Sequence, residues 1–376
     1  MTGITRSLLM IVVGVGAASP ILAVAKQGND AGAVFVMTNA ADKNEVIAFK
    51  RASNGSLEWS SEYETGGRGT GGVNDPLEAQ GSLTLSQDHS LLFAVNAGSG
   101  NISTFSVRGA TLTLVSKTPS GGSQPVAVAE NGGLVYVLNS GGAGSVVGFH
   151  LDFGGQLIQI ENSTQFLSAN DVAGASISFS PNGQFLLVTE RLTNNIDVFS
   201  VKPNGTLAPA IVKASPGAGA FSVRFAPNGD AIVSETGPAT ATNGSAISSY
   251  SVLPNGALSA ISQSVPTLGA ANCWNAITPN GKFVYVSNAG TSNISGFAIG
   301  HNGALTPIGS TVVGSNPDGA TNLDIAVSAD GLYLYTLNSG SGAIGVFAIQ
   351  PNGTLTNVGQ AGDLPKFAGF NGIAAL

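Results

Sequence analysis

One phrase recurs seven times along this chain of 376 residues, and that repeat limits the possible fold more than any other feature. Each copy holds an apolar run, a turn such as "SPNG" or "SADG", and a second apolar run ending at a polar residue, here called the anchor. Two further apolar runs complete each unit, as in "IDVFSV" and "TLAPAIV". The anchors are Asn39, Asn96, Asn139, Glu190, Glu235, Asn288 and Asn338, spaced 43 to 57 residues apart. A fixed period of this length is typical of stacked or circular repeat architectures.

The turns indicate that each unit is a set of antiparallel strands. Asn-Gly and Asp-Gly dipeptides between apolar runs favour hairpins, because these residues tolerate the positive φ of a tight turn. With 52 glycines, 9% charged residues and few windows of 3.6-residue apolar period, the chain should contain little helix. Four antiparallel strands repeated seven times predict an all-β, seven-bladed β-propeller.

The two ends of the repeat region predict how the ring closes. The first unit begins with its second strand, "AVFVMTN", and the chain ends with "NGIAAL", which matches the first strand of other units. We therefore expect residues 373–376 to form the inner strand of blade one. That pairing leaves no open sheet edge between the first and last blades.

The N-terminal residues 1–25 have the features of a secretory signal peptide. Arg6 is followed by the apolar run "LLMIVVGVGAA" and by "AVA" at 23–25, a small-x-small cleavage pattern. The apolar run is short for a membrane span, although an uncleaved anchor is the alternative. We expect one propeller domain over residues 26–376, in a secreted or periplasmic protein.

Charge and cysteine content exclude several classes of function. The formal charge is −7 and basic clusters are absent, which argues against nucleic acid or an anionic membrane as partner. Cys273 is the sole cysteine, so no intrachain disulfide can form. The three histidines fall in bottom turns or on a third strand, where a Ser-His-Asp arrangement is not expected. We expect a monomer without a cofactor.

The anchors should lie on the top face, at the rim of the central channel, where propellers bind ligands. Glu190 and Glu235 replace Asn in two adjacent blades, and Arg191 follows the first of them. Two interpretations stay open: Glu is tolerated on an exposed rim, or two carboxylates face the channel mouth.

Arg224 is a second departure from the repeat. Aligned first strands place it level with six small residues: Thr84, Ala127, Ser178, Ala276, Ala326 and Ala374. Its guanidinium should project into the channel, where an unpaired charge is costly. Glu235 is the expected partner, either as a buried ion pair joining two blades or as part of a substrate-anion site.

Further departures on the top side supply candidate ligand-binding residues. The phrases "AANCWNA" and "TNLDIAV" contribute Asn272, Trp274, Asn322 and Asp324. Trp274 could stack on a sugar or aromatic ring, or belong to the core. Two long loops, residues 65–80 and "TGPATATNGSAIS", are predicted to form lips over the mouth.

The phrases "SPNGQFLLVTERLTNNIDVFSVKPNGTL" and "TPNGKFVYVSNAGTSNISGFAIGHNGALTPIG" resemble the lactonase-type seven-bladed propellers, which include 6-phosphogluconolactonases and carboxymuconate cyclases. The resemblance runs from Ala33 to Leu376 and implies metal-independent lactone chemistry by Arg, Glu and His at the top of the channel. Where that family places His or Arg-His, this chain has Ala175, Phe221 and Ser222.

Three functions are compatible with these residues. The first is a lactone hydrolase, or a cyclase acting on the same bond, with a small lactone or carbohydrate-like substrate. Glu190 or Glu235 would be the general base, and Arg224 or Arg191 would hold the substrate carboxylate or oxyanion. The second is a non-catalytic propeller that binds a glycan or peptide through Trp274 and the loops.

The third is a divalent-cation site, because hard cations bind carboxylate and amide oxygens. Its ligands would be Glu190, Glu235, Asn272 and Asp324. The neighbouring Arg224 argues against it, so no metal is expected.

Overall fold

A computed structural model describes residues 32–238 and 241–376, and in these ranges every regular element is a strand. The predicted signal peptide lies outside the described residues. No helix in the described part of the chain is long and apolar enough to cross a membrane.

The strands follow the repeat in chain order. Blade one takes β1 (Gly32–Met37), β2 (Glu45–Arg51) and β3 (Leu57–Glu64), and blade two β4 (Leu83–Leu85), β5 (Leu91–Asn96), β6 (Asn101–Arg108) and β7 (Thr111–Pro119). Blade three takes β8 (Pro125–Asn131), β9 (Leu134–Asn139), β10 (Ser145–Leu151), β11 (Leu157–Gln159) and β12 (Gln165–Phe166). Blade four takes β13 (Gly174–Phe179), β14 (Phe185–Glu190), β15 (Asn195–Ser200) and β16 (Ile211–Ala214). Blade five takes β17 (Ala220–Phe225), β18 (Ala231–Glu235), β19 (Ala246–Val252) and β20 (Leu258–Pro266). Blade six takes β21 (Asn272–Ile277), β22 (Phe283–Asn288), β23 (Asn293–Ile299) and β24 (Leu305–Ser315), and blade seven β25 (Asn322–Val327), β26 (Tyr333–Asn338), β27 (Ala343–Ile349) and β28 (Leu355–Ala361). The last strand is β29 (Ile373–Ala375).

The seven-bladed prediction is confirmed, including the way in which the ring closes. Each sheet is antiparallel, and β29 pairs with β1 to give the order β29-β1-β2-β3. Blade three alone among the described sheets has a divided outer edge, since β11 and β12 both pair with β10. Closure by the C-terminal strand gives blade one its missing inner strand.

The core lies between the blades rather than at one centre. The second and third strands are apolar on both faces because neighbouring blades cover them, and β14 is buried at every position. Hydrogen bonds also cross from blade to blade. The hydroxyl of Tyr136 donates to the carbonyl of Gly205 at 2.5 Å, and that of Tyr285 donates to the carbonyl of Gly353 at 2.9 Å. Both acceptors are in bottom "PNG" turns of the next blade.

The strand register revises one alignment. Arg224 pairs with Ile232, and the equivalent pairs in blades three and six are Ala129–Tyr136 and Ala276–Tyr285. Ala129, not Ala127, is therefore level with Arg224. The channel still has small residues beside the arginine, so the predicted crowding at the axis is unchanged.

Candidate functional site

The asparagine anchors tie the top loops to the strands. The side-chain amide of Asn96 donates to Asn101 Oδ1 and Ser103 Oγ, both at 2.8 Å. Asn288 donates to the equivalent Asn293 and Ser295 at 2.7 and 2.8 Å. These side chains are buried, so the anchors stabilise the fold and are not on an exposed rim.

Glu190 and Glu235 occupy the same buried position, with 0% exposure each. Glu190 accepts hydrogen bonds from the backbone N–H and hydroxyl of Ser168, at 2.7 and 2.6 Å, and from the hydroxyl of Thr193. Glu235 accepts from Ser215 Oγ at 2.8 Å and Ser248 Oγ at 2.7 Å. These partners hold each carboxylate beside its own blade, and no contact joins the two glutamates. Their placement is that of buried anchors rather than of a pair at the channel mouth.

Asp197 is a buried acid that the sequence reasoning missed. It takes the position that Ser103 and Ser295 take in blades two and six, and it is 0% exposed. Burial and the adjacent Glu190 carboxylate raise the pKa of Asp197 to about 8. Burial acts to raise the pKa of Glu190 as well, but the hydrogen bonds from Ser168 and Thr193 outweigh it and lower that pKa. At neutral pH the two acids therefore share one proton, carried by Asp197.

The predicted lip at residues 65–80 crosses the axis and closes the channel from above. Its last residue, Gln80, is buried, and its amide nitrogen donates to Asp324 Oδ1 at 2.8 Å and to the carbonyl of Asn275 at 3.0 Å. The Gln80 side-chain oxygen accepts from the hydroxyl of Ser222 and from the backbone N–H of Asn275. Gln80 thus bonds to blades five, six and seven at once, and we call it the plug.

Trp274 lies beneath this loop. Its ring is 1% exposed and packs edge-to-face on Phe221, with centroids 5.3 Å apart. Its indole N–H donates to the carbonyl of Ala79 at 3.2 Å. Trp274 is therefore part of the core in this structure, with its polar atom used to hold the loop.

Asn272 and Asn322 begin the inner strands of blades six and seven. The Asn272 amide donates to the carbonyl of Ala246 at 2.7 Å, and the Asn322 amide donates to Ser287 Oγ at 2.7 Å. Both residues are fully buried, so their amides bond within the protein. Among the described residues, no group of three His, Cys, Asp or Glu side chains could hold a metal ion.

Charged side chains gather above the plug on the top face. Arg191 forms an ion pair with Glu78, and their side chains are 25% and 56% exposed. The amide of Asn371 donates to Asp75 Oδ1 at 2.9 Å. Asp75 is half-buried. Burial raises its pKa to about 7, and the negative charges of Glu78 and Asp324 act in the same direction. The hydrogen bond from Asn371 and the positive charge of Arg191 oppose this rise.

The backbone of this charged group is unusual. Asp75 and Glu78 have φ values of +42° and +45°, in the left-handed region that non-glycine residues rarely adopt. Such conformations cost about 1–3 kcal/mol each and are concentrated at functional sites. Cys273 is nearby and half-buried, and burial raises the pKa of its thiol well above the usual range, so it is held as a thiol.

Arg224 and Asp324 face the channel below the plug. Arg224 Nη1 donates to the carbonyl of Val223 at 3.2 Å and to Ser176 Oγ at 3.5 Å. The expected ion pair with Glu235 is wrong, because the two side chains lie on different faces of blade five: Glu235 bonds to serines inside the blade, while Arg224 points into the channel. Asp324 accepts from Gln80 and, at 3.2 Å, from the N–H of Ile373, and burial raises its pKa to about 6.

A cavity of about 290 Å³ occupies the channel around Arg224. Its upper wall is polar, with Gln80, Asn275 and Asp324, and these side chains are buried. Its lower wall is formed by the bottom ends of the inner strands. These lower residues are apolar and partly exposed: Leu85, Phe225 and Ile277. The cavity is closed above and opens towards the bottom face.

Comparisons with known proteins agree on the fold. No family model matches the sequence, and no curated protein is significantly similar to it. The structure is similar to that of a Bacteroides uniformis protein to which 6-phosphogluconolactonase activity is attributed (TM-score 0.71, 20% identity, 92% of this chain and 100% of that chain). A Bacteroides fragilis protein with the same attribution has a TM-score of 0.68 at 19% identity, over 93% of this chain and 98% of that chain. The periplasmic gluconolactonase of Pseudomonas aeruginosa has a TM-score of 0.64 at 19% identity, over 90% and 98%. At such identities the likeness shows the propeller fold alone.

Proposed function

We propose that this chain is an extracytoplasmic, lactonase-like hydrolase whose reaction takes place on the top face, at Asp75, Glu78 and Arg191. The observation that carries the proposal is a half-buried carboxyl group with a pKa of about 7 beside a partly exposed guanidinium. A lactone is opened when a base activates water and a positive group stabilises the oxyanion that forms.

Asp75 is the proposed general base. A catalytic base works best with a pKa near the working pH, because it is then both deprotonated in a large fraction of molecules and strong enough to take a proton. The Asn371 amide fixes one carboxylate oxygen of Asp75 at 2.9 Å, and the other oxygen remains to accept a proton from water.

Arg191 is the proposed electrostatic partner. Its ion pair with Glu78 orients the guanidinium, while its partial exposure leaves it accessible to a substrate. A guanidinium presents several donors in a fixed plane, which suits a lactone carbonyl that becomes a carboxylate. Glu190 and Glu235 have no place in this scheme because they are completely buried.

Two kinds of likeness support the substrate class and the compartment. The repeat phrases resemble lactonase-type propellers, and the structural neighbours include a protein named as a periplasmic gluconolactonase. The signal-like residues 1–25 favour the same compartment.

A second candidate is a non-catalytic propeller that binds a glycan or peptide on its top face. The observation in its favour is the closed channel: Gln80 fills the mouth and Trp274 is covered, which leaves a surface rather than a deep catalytic pocket above the plug.

The test is a pH-stat hydrolysis panel with the mature protein from Lys26 and with sugar lactones, short γ- and δ-lactones and muconolactone-type substrates. We expect turnover by the wild type, a loss of at least about 100-fold in Asp75→Asn and Arg191→Gln, and no effect of EDTA. The matched control is Asp42→Asn, which neutralises an exposed carboxylate in a top loop of blade one and should leave turnover unchanged. Absence of turnover on every lactone, with all variants folded, would favour the binding propeller.

A further inference from the structure

The guanidinium of Arg224 is unusual in having so few partners for a charge inside a channel. Within the described part of the chain its hydrogen bonds all come from Nη1, at 3.2 and 3.5 Å, and no carboxylate forms an ion pair with it. The bond to Ser176, which is nearer the top on the adjacent inner strand, shows that the guanidinium points up towards the plug. Nε and Nη2 have no hydrogen-bond partner among the described residues, and Arg224 lines the cavity.

The side chains around Arg224 are small and leave a cavity beside it that a ligand can occupy. The residues level with it on other inner strands are small, among them Thr84, Ala276, Ala326 and Ala374, and all four line the cavity. A long cationic side chain in such a ring is costly unless an anion or a set of acceptors compensates it. The protein supplies few acceptors here, and the cavity supplies room for an anion.

The cavity is amphipathic along its axis. Polar groups lie at the closed upper end and apolar side chains at the open lower end, including Leu85, Phe225 and Ile277. Its volume of about 290 Å³ is at the lower limit of pockets that hold drug-sized molecules, so a smaller molecule fits. Asp324 is close enough to interact electrostatically with Arg224, and its negative charge disfavours a doubly charged ligand.

We infer that the lower channel binds a small monocarboxylate with an apolar tail, which reaches the site from the bottom face. The carboxylate accepts hydrogen bonds from the Arg224 guanidinium below the plug, and the tail lies against Phe225 and Ile277 towards the opening. This site is separate from the proposed top-face reaction, because Gln80 closes the channel between them.

The experiment is a titration of the mature protein with 4-fluorobenzoate, followed by ¹⁹F NMR, with wild type, Arg224→Met, Ala326→Phe and Arg108→Met. We expect saturable binding by the wild type and at least about tenfold weaker binding by Arg224→Met, since the variant removes the charge-assisted hydrogen bonds to the carboxylate. Ala326→Phe should weaken binding by a similar factor, because it fills the channel at the level of the guanidinium while Arg224 is retained. Arg108→Met, which removes an exposed arginine at the bottom end of β6, should bind like the wild type.

Two further probes separate the carboxylate from other ligands. The uncharged 4-fluorobenzamide should not bind, and inorganic phosphate should not displace 4-fluorobenzoate. Equal affinity in Arg224→Met, equal affinity for the amide, or displacement by phosphate would each overturn the inference. Thermal unfolding of every variant verifies that a loss of binding is not a loss of fold.

Discussion

Replacing Asp197 by Asn should change how the stability of the whole propeller depends on pH. In the unfolded chain an aspartate loses its proton near pH 4, whereas burial and Glu190 raise the pKa of Asp197 in the folded protein to about 8. Between these values the folded state holds one more proton than the unfolded state. The free energy of unfolding must therefore fall as pH rises, and below pH 4 this contribution is fully present.

The magnitude follows from the linkage slope. One proton corresponds to about 1.4 kcal/mol per pH unit, so the wild type should lose about 3 kcal/mol between pH 5 and pH 7 through this group. Asparagine is nearly isosteric with protonated aspartate and can donate to Glu190 in the same way. Asp197→Asn should therefore equal the wild type near pH 4 and exceed it by about 4 kcal/mol at pH 7.

The assay is urea unfolding at half-unit steps from pH 4.5 to 8, with the two proteins compared at each pH. Other acids, Asp75 and Asp324 among them, also have raised pKa values and contribute a slope of the same sign to both proteins, so only the difference between the two proteins is interpreted. The double variant Glu190→Asn/Asp197→Ser, which reproduces the anchor and partner of blades two and six, should lose the same slope. Parallel curves for wild type and Asp197→Asn across this range would refute a shared buried proton.

Two further predictions concern the top-face acid and the inter-blade bonds. If Asp75 is the base, kcat/KM for a hydrolysed lactone should rise with pH through about 7 and then level off, and the residual rate of Asp75→Asn should lack that inflection in the same pH-stat assay. Tyr285→Phe should lower the free energy of unfolding by about 1 kcal/mol in urea, since the Gly353 carbonyl loses its donor. Tyr335→Phe, at the same level of blade seven, should leave the free energy of unfolding unchanged, because that buried hydroxyl has no hydrogen-bond partner within the described residues. An equal loss of stability in both variants would contradict a stabilising role for the Tyr285 hydrogen bond.

The propeller itself could be predicted from local patterns, because each blade repeats the same short-range information. The Asn-Gly and Asp-Gly turns set the hairpins, and the apolar runs set which strands are covered on both faces. The closing strand was predictable from the mismatch between the two ends of the repeat, and its pairing of Val34 with Ala375 confirms it. Only blade three was misaligned, with Ala127 in place of Ala129, since the turn between β8 and β9 is shorter than turns such as "SPNG" and "SADG" in other blades.

The path of the loop at residues 65–80 could not be predicted in this way. Its glycines and polar residues predict a surface segment that forms a lip over the channel mouth. The structure instead buries Gln80 by satisfying its amide with acceptors and donors from three blades. Those partners are about 140 to 245 residues away in the chain, so no local signal connects them with Gln80. The same path brings Asp75 and Glu78 close to Arg191, so these two acids were missed, whereas Arg191 was already a candidate from the sequence.

Whether an anchor side chain bonds inside its blade, in contrast, could be predicted from two positions taken together: the anchor and its partner on the third strand. An asparagine anchor donates, so its partner on the third strand can be an acceptor such as Ser103 or Ser295. A glutamate anchor only accepts, so each neighbour must donate: Ser248 does so in blade five, and a protonated Asp197 does so in blade four. In both blades the third strand carries a hydroxyl or a second acid two residues after its first residue. An acid at the anchor, together with such a residue, therefore indicates a buried hydrogen-bond acceptor and not a carboxylate at the channel mouth. By that criterion Glu190 and Glu235 belong to internal hydrogen-bond networks of blades four and five. The charged residues that remain available to a ligand are outside these networks: Arg191 above the plug and Arg224 below it.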